Sequence, residues 1–81
     1  MVALTSFEYL ILEFLMRNSR RLVSKKQLLV QLYGHDGGGE QNIVEVMVSR
    51  LRKKLMRHST TSPILTIRYQ GYIFTLPCYQ T

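Results

Sequence analysis

The stretch IVEVMVSRLRKKLMRH, residues 43–58, decides the fold because it combines two opposite surfaces on one helix. It holds eight aliphatic or Met residues together with five Lys or Arg and one His. At about 100° per residue, a core-facing stripe lies within about 60° of arc and is formed by Val44, Val48, Leu51 and Leu55. The opposite side, about 100° wide, carries Asn42, Val46, Ser49, Arg50, Lys53 and Arg57. We therefore predict a helix over 41–58 that is packed on one face and basic on the other.

Two helices are predicted ahead of this one, each beginning with a capping box. Thr5 and Glu8 begin a helix over 5–18, and Ser24 and Gln27 begin a helix over 24–33. Apolar residues at spacings of three and four give each helix a buried face, and Gly34 ends the second. The residues 21–23 between the helices predict a short extended strand.

The C-terminal part predicts a β-hairpin. Residues 64–68 and 72–76 are rich in Ile, Thr, Tyr and Phe and flank a turn that contains a glycine. Three helices followed by a hairpin predict an α+β winged helix-turn-helix, formed by residues 1–81 as one domain. In such folds the third helix enters the major groove of DNA, and the hairpin, the wing, touches the neighbouring backbone.

The charge distribution points to a polyanionic partner. The net charge is +6. Residues 1–45 contain five Lys or Arg and five acids, whereas residues 46–81 contain six Lys or Arg and no acid. Like charges four residues apart on the third helix, such as Lys53 and Arg57, repel unless a ligand relieves them. A solubilising surface is the alternative reading of this charge. A helix lying on a membrane is disfavoured, because residues 43–58 contain no aromatic side chain.

Several other classes find little support. The one cysteine, Cys78, cannot form an internal disulfide, so a reducing compartment is expected. No apolar run approaches the roughly 18 residues of a membrane span. The glycine-rich loop lacks the Gly-Lys-Ser/Thr ending of a phosphate-binding loop, and no metal-ligand set or catalytic constellation is present. We expect neither an enzyme nor a cofactor, a metal or a small-molecule substrate.

Four motifs carry a resemblance to a known family. LTSFEYLILEFL, RLVSKKQLL, VEVMVSRLRKKL and TIRYQGY, in this order between residues 4 and 74, resemble the OmpR/PhoB-type effector domain of bacterial two-component response regulators. The resemblance implies a transcription regulator of the bacterial cytoplasm. It also implies binding to tandem half-sites of double-stranded DNA, as a homodimer, and contact with RNA polymerase.

The resemblance also implies roles for particular residues. Arg50 would read bases or phosphates, Arg52 would bind the DNA backbone, and Tyr33 would meet a phosphate. The wing would contact flanking DNA through Thr66 and Arg68. Beyond the resemblance, we also expect contacts from Tyr69 and from Tyr72, the last being half in the core. On the basic face, Lys53 and Arg57 suit phosphates, and Val46 suits a thymine methyl group or is a plain surface valine. The polymerase-contact loop would be Gly34, His35, Asp36, Gly37, Gly38, Gly39, Glu40 and Gln41.

The sequence departs from the family pattern on the third helix, where Glu45 replaces the usual Asp and Met47 the usual His, and in two further places. The family's N-terminal four-stranded sheet and receiver domain are missing, so we expect a fragment of a response regulator. Tyr69 replaces the first glycine of the wing, and we expect the turn to adopt a backbone conformation that tyrosine accepts, with the ring beside Arg68. A module that docks an acidic protein, such as a polymerase subunit or a receiver domain, stays open as the alternative function.

Overall fold

The computed structural model describes residues 3–34, 41–58 and 62–76. Within these ranges the chain forms three α-helices and three short strands. In chain order they are α1 (Ser6–Arg17), β1 (Leu22–Val23), α2 (Lys25–Tyr33), α3 (Gln41–Leu55), β2 (Ile64–Ile67) and β3 (Gly71–Phe74). The α+β winged helix-turn-helix is confirmed.

Both predicted capping boxes are formed. The Thr5 hydroxyl accepts from the Glu8 amide at 3.2 Å, and the Glu8 carboxylate accepts from the Thr5 amide at 2.8 Å. Ser24 and Gln27 make the same exchange, at 3.0 and 2.8 Å, at the start of α2. α2 ends where expected, because Gly34 takes a φ of 88°, which a residue without a Cβ adopts at little cost.

The predicted ends of two elements shift. α3 is α-helical only to Leu55, and Met56–His58 continue as a tighter 3₁₀ turn, as is common at a helix C-terminus. The hairpin strands lie at 64–67 and 71–74 instead of 64–68 and 72–76. The reason is that residues 68–70 form the turn, which the Gln70 amide closes by donating to the Ile67 carbonyl at 2.9 Å.

The sheet has the antiparallel order β1-β3-β2. The strand between α1 and α2 was predicted without a partner, and the structure pairs it with β3, with Val23 opposite Tyr72. Gly71 makes this close pairing possible. A Cβ at position 71 would lie 2.0 Å from the Val23 carbonyl oxygen, and the φ of 145° is one that other residues rarely adopt.

The core lies between the three helices and the inner face of the sheet. Its buried residues are Ile11, Leu15, Val23, Leu28, Leu29, Val44, Val48, Leu51, Ile64, Tyr72 and Phe74. The predicted stripe of α3 is confirmed, since Val44, Val48 and Leu51 are buried and Leu55 packs against them. Because this stripe faces inward, the opposite face of α3 faces solvent. None of the helices in the described ranges has the length and apolar character needed to cross a membrane.

Candidate nucleic-acid interface

The exposed face of α3, extended by the turn that follows it, is the one predicted from the sequence. Its residues Asn42, Val46, Ser49, Arg50, Lys53 and Arg57 are all exposed. Val46 is 45 % exposed and is the one apolar member of this set. The location of the face is therefore confirmed, whereas contact of each side chain with DNA stays a prediction.

The acids that the structure describes are neutralised by cations outside this face. The pairs are Glu8 with Lys54 at 2.6 Å, Glu13 with Arg17 at 3.6 Å, and Glu45 with Lys25. In the described part of the chain, Arg50, Lys53 and Arg57 form no ion pair with any of these carboxylates. The exposed face therefore keeps its positive charge for an external anion.

Glu8 does more than cap α1. It is 1 % exposed, and its carboxylate binds the Lys54 ammonium across the interface between α1 and α3. Burial opposes ionisation of Glu8, but the hydrogen bonds from Lys54 and Thr5 outweigh it and hold the pKa of Glu8 below its usual range. The sequence placed Lys54 beside the apolar stripe but gave no sign of its partner, which is 46 residues away.

Arg52 joins α3 to the wing. Its Nε and Nη2 donate to the Ile64 carbonyl at 3.1 and 2.9 Å, and Nη2 also donates to the Thr66 hydroxyl. The guanidinium lies over the Tyr72 ring, 5.7 Å from its centre. These contacts use Nε and Nη2 of Arg52 and position the wing. Thr66, still exposed, shares them, and contact of Arg52 with the DNA backbone stays a prediction.

Tyr72 is not part of the exposed wing surface. The side chain was predicted to be half exposed, but Tyr72 is only 3 % exposed because its register puts it on the inner face, opposite Val23. Burial raises the pKa of its hydroxyl. Tyr33 is different. It is 39 % exposed at the end of α2 and packs edge-on against Phe7, with ring centres 5.6 Å apart.

The tip of the wing corrects one prediction and confirms another. Tyr69 has a φ of 66°, so it keeps a left-handed backbone and the predicted rearrangement of the turn is wrong. The Gln70–Ile67 hydrogen bond closes the turn around this conformation. The ring does lie beside Arg68 as predicted, with the guanidinium carbon 5.1 Å from the ring centre.

The wing tip faces the start of α2 across an open cleft. The cleft has a volume of about 260 Å³ and is lined by Ser24, Lys25, Lys26, Tyr69 and Gln70. Lys25 also binds Glu45, which ties the start of α2 to the edge of α3. Lys25 and Lys26 were absent from the predicted site, although two lysines directly after a helix cap were a readable signal.

The remaining predictions concern a loop and a metal. Residues 35–40 of the predicted polymerase-contact loop lie outside the described residues. At its two ends, Gly34 caps α2 and Gln41 begins α3. Across the described ranges, no three His, Cys, Asp or Glu side chains lie close enough together to hold a metal ion.

Comparison with known proteins gives consistent matches. Residues 1–74 match the family described as "Transcriptional regulatory protein, C terminal". The two-component response regulator PhoP of Pseudomonas aeruginosa is 49 % identical over 77 residues, which are 95 % of this chain and 34 % of that protein. The chain thus spans about a third of the length of the curated relatives it matches.

Solved structures share the fold. The C-terminal domain of the nisin resistance regulator NsrR has a TM-score of 0.79 and 36 % identity, over 94 % of this chain and 77 % of that one. The DNA-binding domain of RstA from Klebsiella pneumoniae, solved in complex with the RstA box, has a TM-score of 0.74 and 35 % identity. That match covers 91 % of this chain and 74 % of the RstA chain.

Proposed function

Because the chain belongs to the family of C-terminal domains of transcriptional regulatory proteins, we propose that residues 1–81 bind duplex DNA sequence-specifically and thereby regulate transcription. This family consists of transcription regulators and not of enzymes. The observation that carries the proposal is the exposed basic face of α3, whose arginines and lysine are unpaired with any described acid. A major groove about 12 Å wide admits a helix, and α3 presents this face to it.

Residues on the exposed face divide by the chemistry of their side chains. Arg50 reads a base, because a guanidinium donates two hydrogen bonds to O6 and N7 of guanine. Asn42, Val46 and Ser49 lie on the same face and meet neighbouring base edges, Val46 through a thymine methyl group. Lys53 and Arg57 bind phosphates, which orient the helix without reading sequence.

Contacts around the helix are made by the wing and by α2. Arg68 and Tyr69 at the tip of the wing contact DNA that flanks the major-groove site, together with Thr66. Lys26 faces a phosphate from the cleft, and Tyr33 does so from the end of α2. The DNA-binding domain of RstA, solved in complex with the RstA box, supports DNA binding by this fold, because RstA shares the fold at 35 % identity.

The larger assembly rests on the family resemblance. We infer that the chain is the DNA-binding part of a response regulator in the bacterial cytoplasm. It binds tandem half-sites as a homodimer, and the loop 34–41 contacts RNA polymerase. The length of the relatives, about three times that of this chain, is in keeping with a further regulatory domain.

A selection followed by a salt titration tests the proposal. The chain selects sites from a randomised duplex library. Its affinity for the selected site and for a random duplex is then measured between 50 and 200 mM salt, about the range over which added salt strongly weakens binding through phosphate contacts. We expect tighter binding to the selected site and a steep negative slope of log affinity against log salt. Failure to bind any duplex, with binding to an acidic receiver domain or polymerase subunit instead, would favour the protein-docking alternative.

A further inference from the structure

The Lys25–Glu45 ion pair lies at the edge of the surface that we propose meets DNA. At 100° per residue, Glu45 is about 40° of arc from Ser49, so it borders the exposed face of α3. The Glu45 side chain is 53 % exposed and that of Lys25 is 26 % exposed. Lys25 also lines the cleft between α2 and the wing tip. A carboxylate therefore lies where phosphates would approach, although the two charges repel each other.

The ion pair limits what Lys25 can bind. The Lys25 ammonium donates to Oε1 of Glu45, and this hydrogen bond raises the pKa of Lys25. A phosphate would have to displace the carboxylate before it could bind this ammonium. The next residue, Lys26, is exposed and forms no ion pair with an acid of the described ranges. The start of α2 thus offers the cleft one available cation instead of two.

An additional free cation would not strengthen binding to all sequences equally. Contacts with phosphates supply essentially all of the affinity for a random duplex, and they carry no sequence information. On a random duplex the chain can settle wherever a free Lys25 meets a phosphate. On its own site the base contacts of α3 fix the register. Release of Lys25 would therefore strengthen binding to random DNA more than binding to the selected site.

We propose that Glu45 is a specificity residue that acts by restraining Lys25. It withholds this ammonium from DNA phosphates and so keeps binding to random sequence weak. Glu45 needs no contact with a base in this role, because it acts through its charge on a neighbouring cation. The inference rests on the proposed function, since it requires that the exposed face of α3 and the cleft meet DNA.

The variant Glu45→Gln tests the restraint. It keeps the size of the side chain, and a neutral amide holds an ammonium less strongly than a carboxylate does. Affinities for the selected site and for a random duplex are measured over the salt range of the titration described above. For the random duplex we expect binding about threefold or more tighter at the lowest salt. We also expect a slope of log affinity against log salt that is steeper by about 0.9, the value for one further phosphate contact.

The discrimination between the two duplexes is the second readout. Because the selected site gains less from a free Lys25, the ratio of specific to random affinity should fall by about twofold or more in Glu45→Gln. The ion pair is partly exposed, so the variant should keep its fold, which circular dichroism checks.

A double variant separates release of Lys25 from loss of the carboxylate. With Lys25→Met added to Glu45→Gln there is no ammonium to release, so random-duplex affinity and slope should return close to those of the native chain. Glu13→Gln is the matched control for net charge. It removes a surface carboxylate that is paired with Arg17 on α1, away from the cleft and the exposed face of α3, and should leave the slope nearly unchanged.

Three results would overturn the inference. A Glu45→Gln variant with native affinity and slope on random duplex would show that Lys25 is not restrained. A gain that persists in the double variant would assign it to loss of repulsion by the carboxylate alone. A larger loss on the selected site than on random duplex would indicate that Glu45 contacts a base, for example the cytosine amino group.

The same measurements keep this inference apart from the proposed function. In each of the three results the native chain still prefers its selected site, so the proposed function stands. A native chain that binds its selected site no better than random duplex would overturn both.

Discussion

The proposed sequence reading by α3 depends most on Arg50. Its side chain is exposed and points away from the buried stripe, so Arg50→Ala should leave the unfolding free energy nearly unchanged. We expect specific binding to weaken by about 1–3 kcal/mol through the loss of a bidentate base contact. Titrations of the selected and random duplexes measure this, with Lys53→Ala as the matched control that weakens both about equally. An Arg50→Ala variant with native affinity for its selected site would contradict the role assigned to this face.

Leu51 is the neighbour with the opposite behaviour. It is fully buried, so Leu51→Ala should cost roughly 2–5 kcal/mol of stability, which is a large share of the total for so small a domain. Chemical denaturation monitored by circular dichroism gives the value. Retention of native stability would contradict the burial of Leu51 in the core, because a cavity in a close-packed core is destabilising.

Single residues show where inference from the sequence ends. Helical periodicity is enough to predict that Arg50 is exposed and Leu51 buried, because both follow from one rotation angle per residue. The burial of Tyr72 and the engagement of Arg52 depend on the register of strands formed later in the chain, which periodicity on α3 does not contain. The φ of Tyr69 was mispredicted because the hydrogen bond that closes the turn outweighs the local preference of the residue.

At the scale of elements, the Glu8–Lys54 pair joins α1 to α3. The pKa of Glu8 is lower in the folded chain than its unfolded value of about 4.3, so ionised Glu8 stabilises the fold above that pH. This contribution should be lost as the pH falls through the folded pKa. Thermal unfolding between about pH 2 and pH 7 should therefore show an acid loss of stability below about pH 4.3 that Glu8→Gln lacks.

The matched control for this pair is Glu13→Gln on the same helix. Glu13 pairs with Arg17 at the surface, where ion pairs contribute little. Glu8→Gln should cost about 1–3 kcal/mol at pH 7, because it leaves the Lys54 ammonium without its charged partner. If the native chain and Glu8→Gln lose the same stability as the pH falls, the loss is due to groups other than Glu8.

Elements with local signals were predicted well, and those joined over long distances were not. Two capping boxes and a glycine stop define α1 and α2 within their own sequence, so their bounds shift by only a residue or so. β1 is two residues long and exists through its pairing with β3, nearly 50 residues later. No local pattern predicts that pairing, although Gly71 is the residue that permits it.

For the whole molecule, the order of elements predicted the winged helix, and the periodicity of α3 predicted the side on which its charge lies. The sequence showed that its acids cluster in residues 1–45, but not that those in the described ranges are paired with cations outside the exposed face of α3. Two of these pairs bridge separate helices, so they are visible only once the chain is folded. The cleft between α2 and the wing tip was not predicted, because it too exists only once the chain is folded.

The close approach of Gly71 to Val23 divides the wing into parts with different mutational tolerance. No side chain fits at position 71, because its Cβ would collide with a backbone atom that cannot move without breaking the sheet. Arg68, Tyr69 and Gln70 are exposed, and their identities can change without disturbing the core. A lineage carrying this domain can therefore diversify the tip of the wing while the base of the wing stays invariant.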